Sequence, residues 1–380
     1  MALEAFGAEI TSGYFRAMTS HPFGIYIHIP FCRKKCGYCA FSSEVLREEV
    51  PKAFIRALCS EILEFQGPDE SSSIFLGGGT PSLLGEKDLE CIFGSLYERF
   101  HFQAPEITIE VNPDDVTPEK ADAWKALGIN RVSLGVQSFD DDTLRFLDRR
   151  HDALSAKKAA RIIADRFSNW NMDLIYGIPL KNTWADTLRT VKSFSPPHLS
   201  TYALTYVENT PMGDSRCARL EDDTVLQIYQ YAELSLADYD HYEISNFAAE
   251  GFYCRHNLLY WHNEPHAGFG PAAYSFVNGV RAVNVTNVGQ YVIKPGCKAE
   301  ETRLSRVEEE VETLIQHFRL REGIHEDYFP RRFGESLDLR FGEVVNTMLE
   351  RGLLEYHQGY LRPTPQGFYL NDEIGLALVG

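Results

Sequence analysis

No stretch of this 380-residue chain approaches the roughly 20 consecutive apolar residues that a membrane-spanning helix needs. The opening residues MALEAFGAEITSGYF lack the basic start and apolar core of a secretory signal, so a cytoplasmic protein is expected. Positive charge is short as well: 37 Lys and Arg face 54 Asp and Glu, a formal charge of −17. That balance repels a phosphate backbone, and no nucleic-acid partner is expected. Cysteine is sparse, with eight in the chain, too few for a disulfide scaffold. In a reducing compartment the thiols point instead to metal binding or catalysis.

What is present is ordinary globular material, 44% hydrophobic and 24% charged, enough for one large α/β domain and something smaller. Six short β-branched or aromatic runs recur with helix-length spacers: IYIHIP (25–30), SIFLGGG (73–79), ITIEVNP (107–113), RVSLGVQS (131–138), MDLIYGIP (172–179) and LSTYALT (199–205). Helical periodicity fills the gaps, as in 51–65 and 118–128; Asp114 or Thr117 is placed to cap the latter, and Gly128 to close it. Six β–α repeats predict parallel strands joined by right-handed crossovers. Polar groups gather where the runs end, a pattern that favours a barrel-type site. The fold class expected is therefore α/β, a partial, open (β/α)6 TIM-like barrel. Past residue 300 the segment RVEEEVETLIQHFRL is amphipathic, and FGEVVNTMLERGLLEYHQGYLRPT reads as a helix running into a β-hairpin, a winged-helix-like pattern. Residues 301–380 hold 9 Lys and Arg against 15 Asp and Glu, which argues against DNA as that region's partner.

The chemistry centres on FCRKKCGYCAF, where Cys32, Cys36 and Cys39 follow the first run at the spacing C-x3-C-x2-C. A structural zinc site needs four ligands and uses other spacings. Chance core cysteines would not sit beside Arg33, Lys34 and Lys35, cations that favour the thiolate form. The remaining reading is a four-iron cluster held by three thiolates, with one iron open to a small chelating molecule. S-adenosylmethionine, with its amino and carboxylate groups, is such a molecule, and the hard chemistry would then be the cofactor's. The other cysteines have no ligand-like spacing, and Cys59 and Cys91 are expected to pack between helices.

This motif, with Tyr38 before its last cysteine, resembles the radical S-adenosylmethionine superfamily. YIHIPF ahead of it resembles one branch, the oxygen-independent coproporphyrinogen III oxidases (HemN) and the HemW-type haem chaperones. The resemblance runs over nearly the whole chain and implies a site. Tyr38 would pack on the adenine. Gly78, Gly79 and Thr80 in GGGTPSLL belong to the glycine motif that binds the methionine amino group. Glu110, Gln137, Arg149 and Asp173 match positions that contact the cofactor, and Tyr26 matches a tyrosine near its sulfonium end. His28 shares a strand face with Tyr26 and is an additional candidate.

Two features separate the branches. The oxidases carry a fourth cysteine two positions after the third, and Phe41 stands there in this chain. The chaperones carry H-N-x-x-Y-W, matched by His256, Asn257, Tyr260 and Trp261. The resemblance implies haem binding at these four residues, with an imidazole on the iron and aromatic surface for the porphyrin. Cys254 and His266 are alternative ligands. One departure is HAGFGPAA (266–273), where Ala272 replaces an expected glycine. The function implied is a haem chaperone that binds a [4Fe–4S] cluster and S-adenosylmethionine and passes haem to haem-requiring proteins such as respiratory enzymes. A homodimer and peripheral contact with membrane-bound clients stay open. The alternatives are oxidative decarboxylation of coproporphyrinogen III and, more distantly, a haem-degrading methyl transfer. Expected divisions are an N-terminal segment (1–22), the barrel (23–240), the HNxxYW region (241–300) and the C-terminal domain (301–380). A Cys36→Ala protein is expected to lose most of its iron and sulfide; full retention on elemental analysis would rule out the cluster assignment.

Overall fold

The computed structural model describes residues 23–46, 48–180, 183–215 and 218–380; the expected segment 1–22 lies outside them. All six apolar runs form strands: β1 (Gly24–Ile29), β2 (Glu70–Gly78), β3 (His101–Val111), β4 (Arg131–Gln137), β5 (Asn169–Tyr176) and β6 (His198–Ala203). Each pairs in parallel with the next. The alternation of β1 explains why it is a strand. Ile25, Ile27 and Ile29 are fully buried with Phe54, Leu58 and Ile62 of helix α1 (Lys52–Glu64), while Tyr26 and His28 turn to the barrel interior. The crossover helices α2 (Glu86–Arg99), α3 (Pro118–Ala126), α4 (Asp141–Phe146), α5 (Ala153–Ala164) and α6 (Trp184–Phe194) alternate with the strands. Thr117 caps α3 through Lys120 N, and Asp140 and Asp152 cap α4 and α5.

The sheet does not stop at six strands. After α7 (Asp222–Ser235) come β7 (Asp240–Glu243), β8 (Asn246–Ala248), helix α8 (Arg255–Trp261), β9 (His266–Phe269), β10 (Tyr274–Val277), β11 (Val280–Asn284) and β12 (Lys298–Arg303). The order is β12-β11-β10-β9-β1-β2-β3-β4-β5-β6-β8-β7. Residues 241–300, expected as a region apart, extend the barrel sheet at both edges instead. β9 runs parallel to β1, and β8 runs antiparallel to β6. Their short apolar runs complete backbone ladders that the six-stranded sheet leaves open. Ala272, the missing glycine, adopts φ 59°, a left-handed conformation that costs an alanine on the order of 1 kcal/mol.

Helix α8, which carries HNLLYW, closes the barrel at the N-terminal ends of its strands. Glu106 in β3 holds the helix start, accepting from Cys254 Sγ (3.7 Å), Arg255 N (3.2 Å) and His256 N (3.0 Å). Gly24 begins β1 so close to α8 that a Cβ there would meet Leu259 Cδ1 at 2.8 Å. The cysteine loop leaves the opposite, C-terminal end of β1.

The C-terminal region has its own core around Leu314, Phe329, Met348 and Leu361. Its main elements are α9 (Arg306–His317), β13 (Ile324–His325), α10 (Leu337–Glu350), the hairpin β14 (Leu354–His357) and β15 (Tyr360–Pro363), and α11 (Asn371–Val379), with short helical turns at Tyr328–Phe333 and Pro365–Tyr369. The predicted helix-then-hairpin is present. Ser305 and Glu308 form a reciprocal capping box on α9. Residues 319–321 bond the sheet's edge at β7 through Ile244 N to Arg319 O (3.2 Å) and Arg321 N to Tyr242 O (3.0 Å), covering an otherwise open strand. Of the two cysteines expected to pack between helices, Cys59 is partly buried and Cys91 is exposed, beside Cys59 at the rim of the α1–α2 seam. No helix among the described residues is long and apolar enough to cross a membrane. Glu106→Ala leaves three donors at the start of α8 unmatched and is expected to destabilise the fold by about 2 to 3 kcal/mol, readable by chemical denaturation.

Candidate functional site

Strand alternation brings the polar residues inward from successive strands, so that Glu110, Asn112, Ser133, Gly135, Gln137 and Asp173 line one cavity of about 380 Å3 at the C-terminal end of the barrel. Cys32, Cys36, Tyr38 and Cys39 line the same space, with Gly78, Gly79, Thr80 and Arg149. Every cluster and cofactor residue expected from the motifs is therefore gathered here except Tyr26, which lines a smaller cavity beneath.

The cysteine loop is held from behind. Thr80 Oγ1 donates to Cys32 Sγ (3.4 Å), and Asn112 Nδ2 donates to Thr80 Oγ1 (3.0 Å). His28 links β1 to the loop, Nε2 bonding Ser42 O (2.9 Å) while Nδ1 meets Tyr26 Oη (3.1 Å). The glycines serve this packing. Gly78 has φ 105°, with the His28 ring 2.6 Å from where its Cβ would lie, and a Cβ on Gly79 would strike Phe31 O at 2.6 Å.

Of the three cations beside the cysteines in sequence, two are bonded away from the thiols. Lys34 pairs with Asp148 at the surface, and Arg33 donates to Glu48 O. Arg149 takes their place: Nη1 donates to Cys36 Sγ (3.5 Å) and Tyr38 Oη (3.4 Å), while Nη2 donates to Asn112 Oδ1 (2.6 Å) and Gly135 O (2.9 Å). Arg150, its neighbour, faces Asp114 at 3.7 Å, so the two arginines have separate tasks. Burial raises the Cys39 thiol pKa, with Lys35 only partly opposing it. Among the described residues no three His, Cys, Asp or Glu side chains converge on a single ion. The donor set at the cavity is three thiols, Cys32, Cys36 and Cys39, one short of the four ligands a structural zinc ion takes, and it fits an iron–sulfur group held by three thiolates.

Two buried carboxyls face the cavity. Glu110 accepts from Gly78 N (3.1 Å), and burial, then the charge of Asp173, pushes its pKa up to about 8. Asp173 is raised chiefly by burial and is held by Ser133 Oγ (3.1 Å) and Asn171 Nδ2 (2.7 Å). Gln137 turns its side chain inward from φ 64°, a strained conformation of the kind kept at binding sites. A 380 Å3 cavity lies within the range of cofactor-sized pockets, about 300 to 1,000 Å3.

The residues expected to bind haem are placed differently. His256 is buried in the floor, Nδ1 bonding Ser73 Oγ (2.8 Å) and Nε2 bonding Tyr260 Oη (2.8 Å). Phe75 stacks on its ring, and burial lowers its pKa to about 3. The imidazole is neutral, as an iron ligand must be, but both ring nitrogens are engaged. The cavity it lines, with Asn257 and Tyr260, measures about 170 Å3, too small for a porphyrin. Trp261 points elsewhere, beneath the guanidinium of Arg319. Burial pushes the Cys254 thiol up to about 12 and the His266 imidazole down to about 4. Sequence reasoning missed Ser133, Asn171 and Tyr202 in the interior; all fall on the inward positions of strands whose other face is apolar.

The model of the radical SAM superfamily matches residues 26–191, and that of the HemN C-terminal domain matches residues 304–370. Heme chaperone HemW of Bacillus subtilis is 32% identical over 376 residues, covering 93% of this chain and 98% of that protein. HemW of Escherichia coli is 37% identical over 268 residues, 67% of this chain and 70% of its own. The chain belongs to the HemW family of radical SAM proteins. Coproporphyrinogen III oxidase HemN from Escherichia coli, a radical SAM enzyme, superposes with a TM-score of 0.82 at 22% identity, over 94% of this chain and 90% of that one; that likeness is one of fold. Membership in the family brings S-adenosylmethionine and iron–sulfur chemistry generically, and the thiol-lined cavity fits it.

The Glu110 pKa makes a pH prediction. Because the folded value of about 8 exceeds the ordinary 4.5, the folded state keeps a proton that the unfolded chain releases. Stability from this group is present below pH 4.5 and falls as pH rises to 8. Glu110→Gln mimics the protonated form, so its melting temperature is expected to gain on the parent across that window. Parallel pH profiles would show this group to be ionised at no cost.

Proposed function

We propose that the protein is a haem chaperone that holds a [4Fe–4S] cluster on Cys32, Cys36 and Cys39, binds S-adenosylmethionine in the cavity above the barrel, and passes haem to haem-requiring proteins. The observation that carries this reading is similarity to HemW proteins over nearly the full chain. When bound, the cluster supplies an electron to the sulfonium of the cofactor. The chain's own residues do the positioning. The backbone at Gly78 and Gly79 and the carboxyl of Glu110 receive the amino group, and Arg149, fixed by Asn112 and Gly135, receives the carboxylate through its fork. Asp173 and Gln137 bind the sugar and base end, Tyr38 stacks on the adenine, and Tyr26 stands below the sulfonium. With Phe41 where the oxidases carry a fourth cysteine, the oxidase reading ranks second.

His256 is the proposed haem ligand, with Asn257, Tyr260 and Trp261 beside it. Reaching haem iron requires Ser73 or Tyr260 to release the ring and α8 to move from the floor. A cytoplasmic location, and haem proteins as recipients, complete the proposal. The test is anaerobic: cluster-loaded protein with reductant, S-adenosylmethionine and coproporphyrinogen III, followed by chromatography of the porphyrins. No conversion is expected, together with a haem Soret band that His256→Ala weakens several-fold. Stoichiometric conversion to protoporphyrinogen would make the protein a biosynthetic oxidase, and an unchanged Soret band would move the haem ligand off α8.

A further inference from the structure

Beneath the cofactor cavity lies the second interior space, about 170 Å3, between a roof of Glu110 and Asp173 and a floor of α8. The cofactor reading leaves it without a task. Arg131 projects into it from the start of β4, only 2% exposed. Its Nε has no hydrogen-bond partner, and among the described residues no ion pair or hydrogen bond reaches the guanidinium. Glu106 and Asp173 favour its charge from a distance, but among the described residues no carboxylate oxygen bonds it: Glu106 holds the start of α8, Asp173 bonds Ser133 and Asn171, and Glu110 bonds Gly78 N. Buried guanidinium N–H groups left without acceptors are costly, and a polar cavity of this size does not stay dry.

The guanidinium is a planar fork that suits a carboxylate bidentately. The amide of Asn257 and the hydroxyls of Tyr202 and Tyr260 line the same space and add neutral donors. Two carboxyl groups in the roof disfavour a dianion, and the volume excludes a ligand much larger than propionate. We propose that this chamber is a binding site for one small monocarboxylate, with Arg131 as its receptor. The carboxylate comes either from a free small acid or from the propionate arm of a bound tetrapyrrole.

The test uses the full cluster-loaded protein and sodium formate exchanged for sodium chloride at constant ionic strength. A saturable rise in melting temperature of several degrees is expected for the parent and is expected to vanish in Arg131→Met. Because that variant could fail to fold, Asn257→Asp provides a second arm. It places a carboxylate inside the chamber and is expected to raise the melting temperature without formate and to abolish the formate response. A formate response no larger than that of chloride, or one of equal size in both variants, would overturn the site and leave only trapped water. Repeating the titration with haem and with haem dimethyl ester separates the sources. If haem but not its ester removes the response, a propionate arm is the occupant; any other pattern assigns a free acid. The formate response needs no haem, so it tests the chamber apart from haem carriage.

Discussion

Strand β1 is the constraint on which the rest is built. It lies inside the 12-stranded sheet with parallel partners on both flanks, so its position cannot shift without breaking two ladders. Its isoleucines anchor it to α1, its end delivers the cysteine loop, and its His28 ring dictates that residue 78 be glycine. A Cβ on Gly270 would meet His28 O at 2.4 Å, so the same strand also fixes where the late strand β9 can turn. A cluster of three thiols on a loop would be floppy by itself. Here that loop leaves a strand locked on both sides, which is the precondition for presenting the thiols at fixed separations.

Much of this was legible in the chain. Six strands could be read because each is a short run of β-branched, aromatic or other apolar residues that ends in a loop signal. The cysteine motif could be read because its spacing is local, so three thiols fall within one short loop. Tertiary electrostatics could not be read. Arg33 and Lys34 look like cations at the thiols, yet both bond elsewhere, and the Cys36 thiol is served by Arg149, more than a hundred residues away. The two edges were also hidden. β9 joins β1 in parallel only after the chain has passed around the whole barrel, and nothing in four residues of sequence announces such a partner. HNLLYW was legible as a motif but not as a floor, since its burial follows from Glu106 and Ser73 on distant strands.

The interior divides into two polar storeys with different electrostatic conditions. The upper one faces the cysteine loop and is organised by Arg149, whose charge is spread over a sulfur, a phenol, an amide and a carbonyl. The lower one is closed by α8, and burial shifts its carboxyls up and its imidazole down from their ordinary ionisation ranges. Glu110 and Asp173 lie between the two and belong to both. Whatever charge arrives in the upper cavity is therefore felt below through those carboxyls, with little solvent to screen it.

The pairing of Gly24 with His266 has a consequence for the order of assembly. At a synthesis rate of 5 to 20 residues per second, the second flank of β1 waits roughly 12 to 50 seconds after its own emergence for a partner about 240 residues downstream. During that interval the barrel has neither its last parallel neighbour nor its floor. The cysteines are already outside the ribosome, on a shell open from below. Metal loading that must yield a sheltered cluster thus belongs after chain completion, and the nascent chain spends the interim with a sticky, unpaired strand edge that invites a general folding helper.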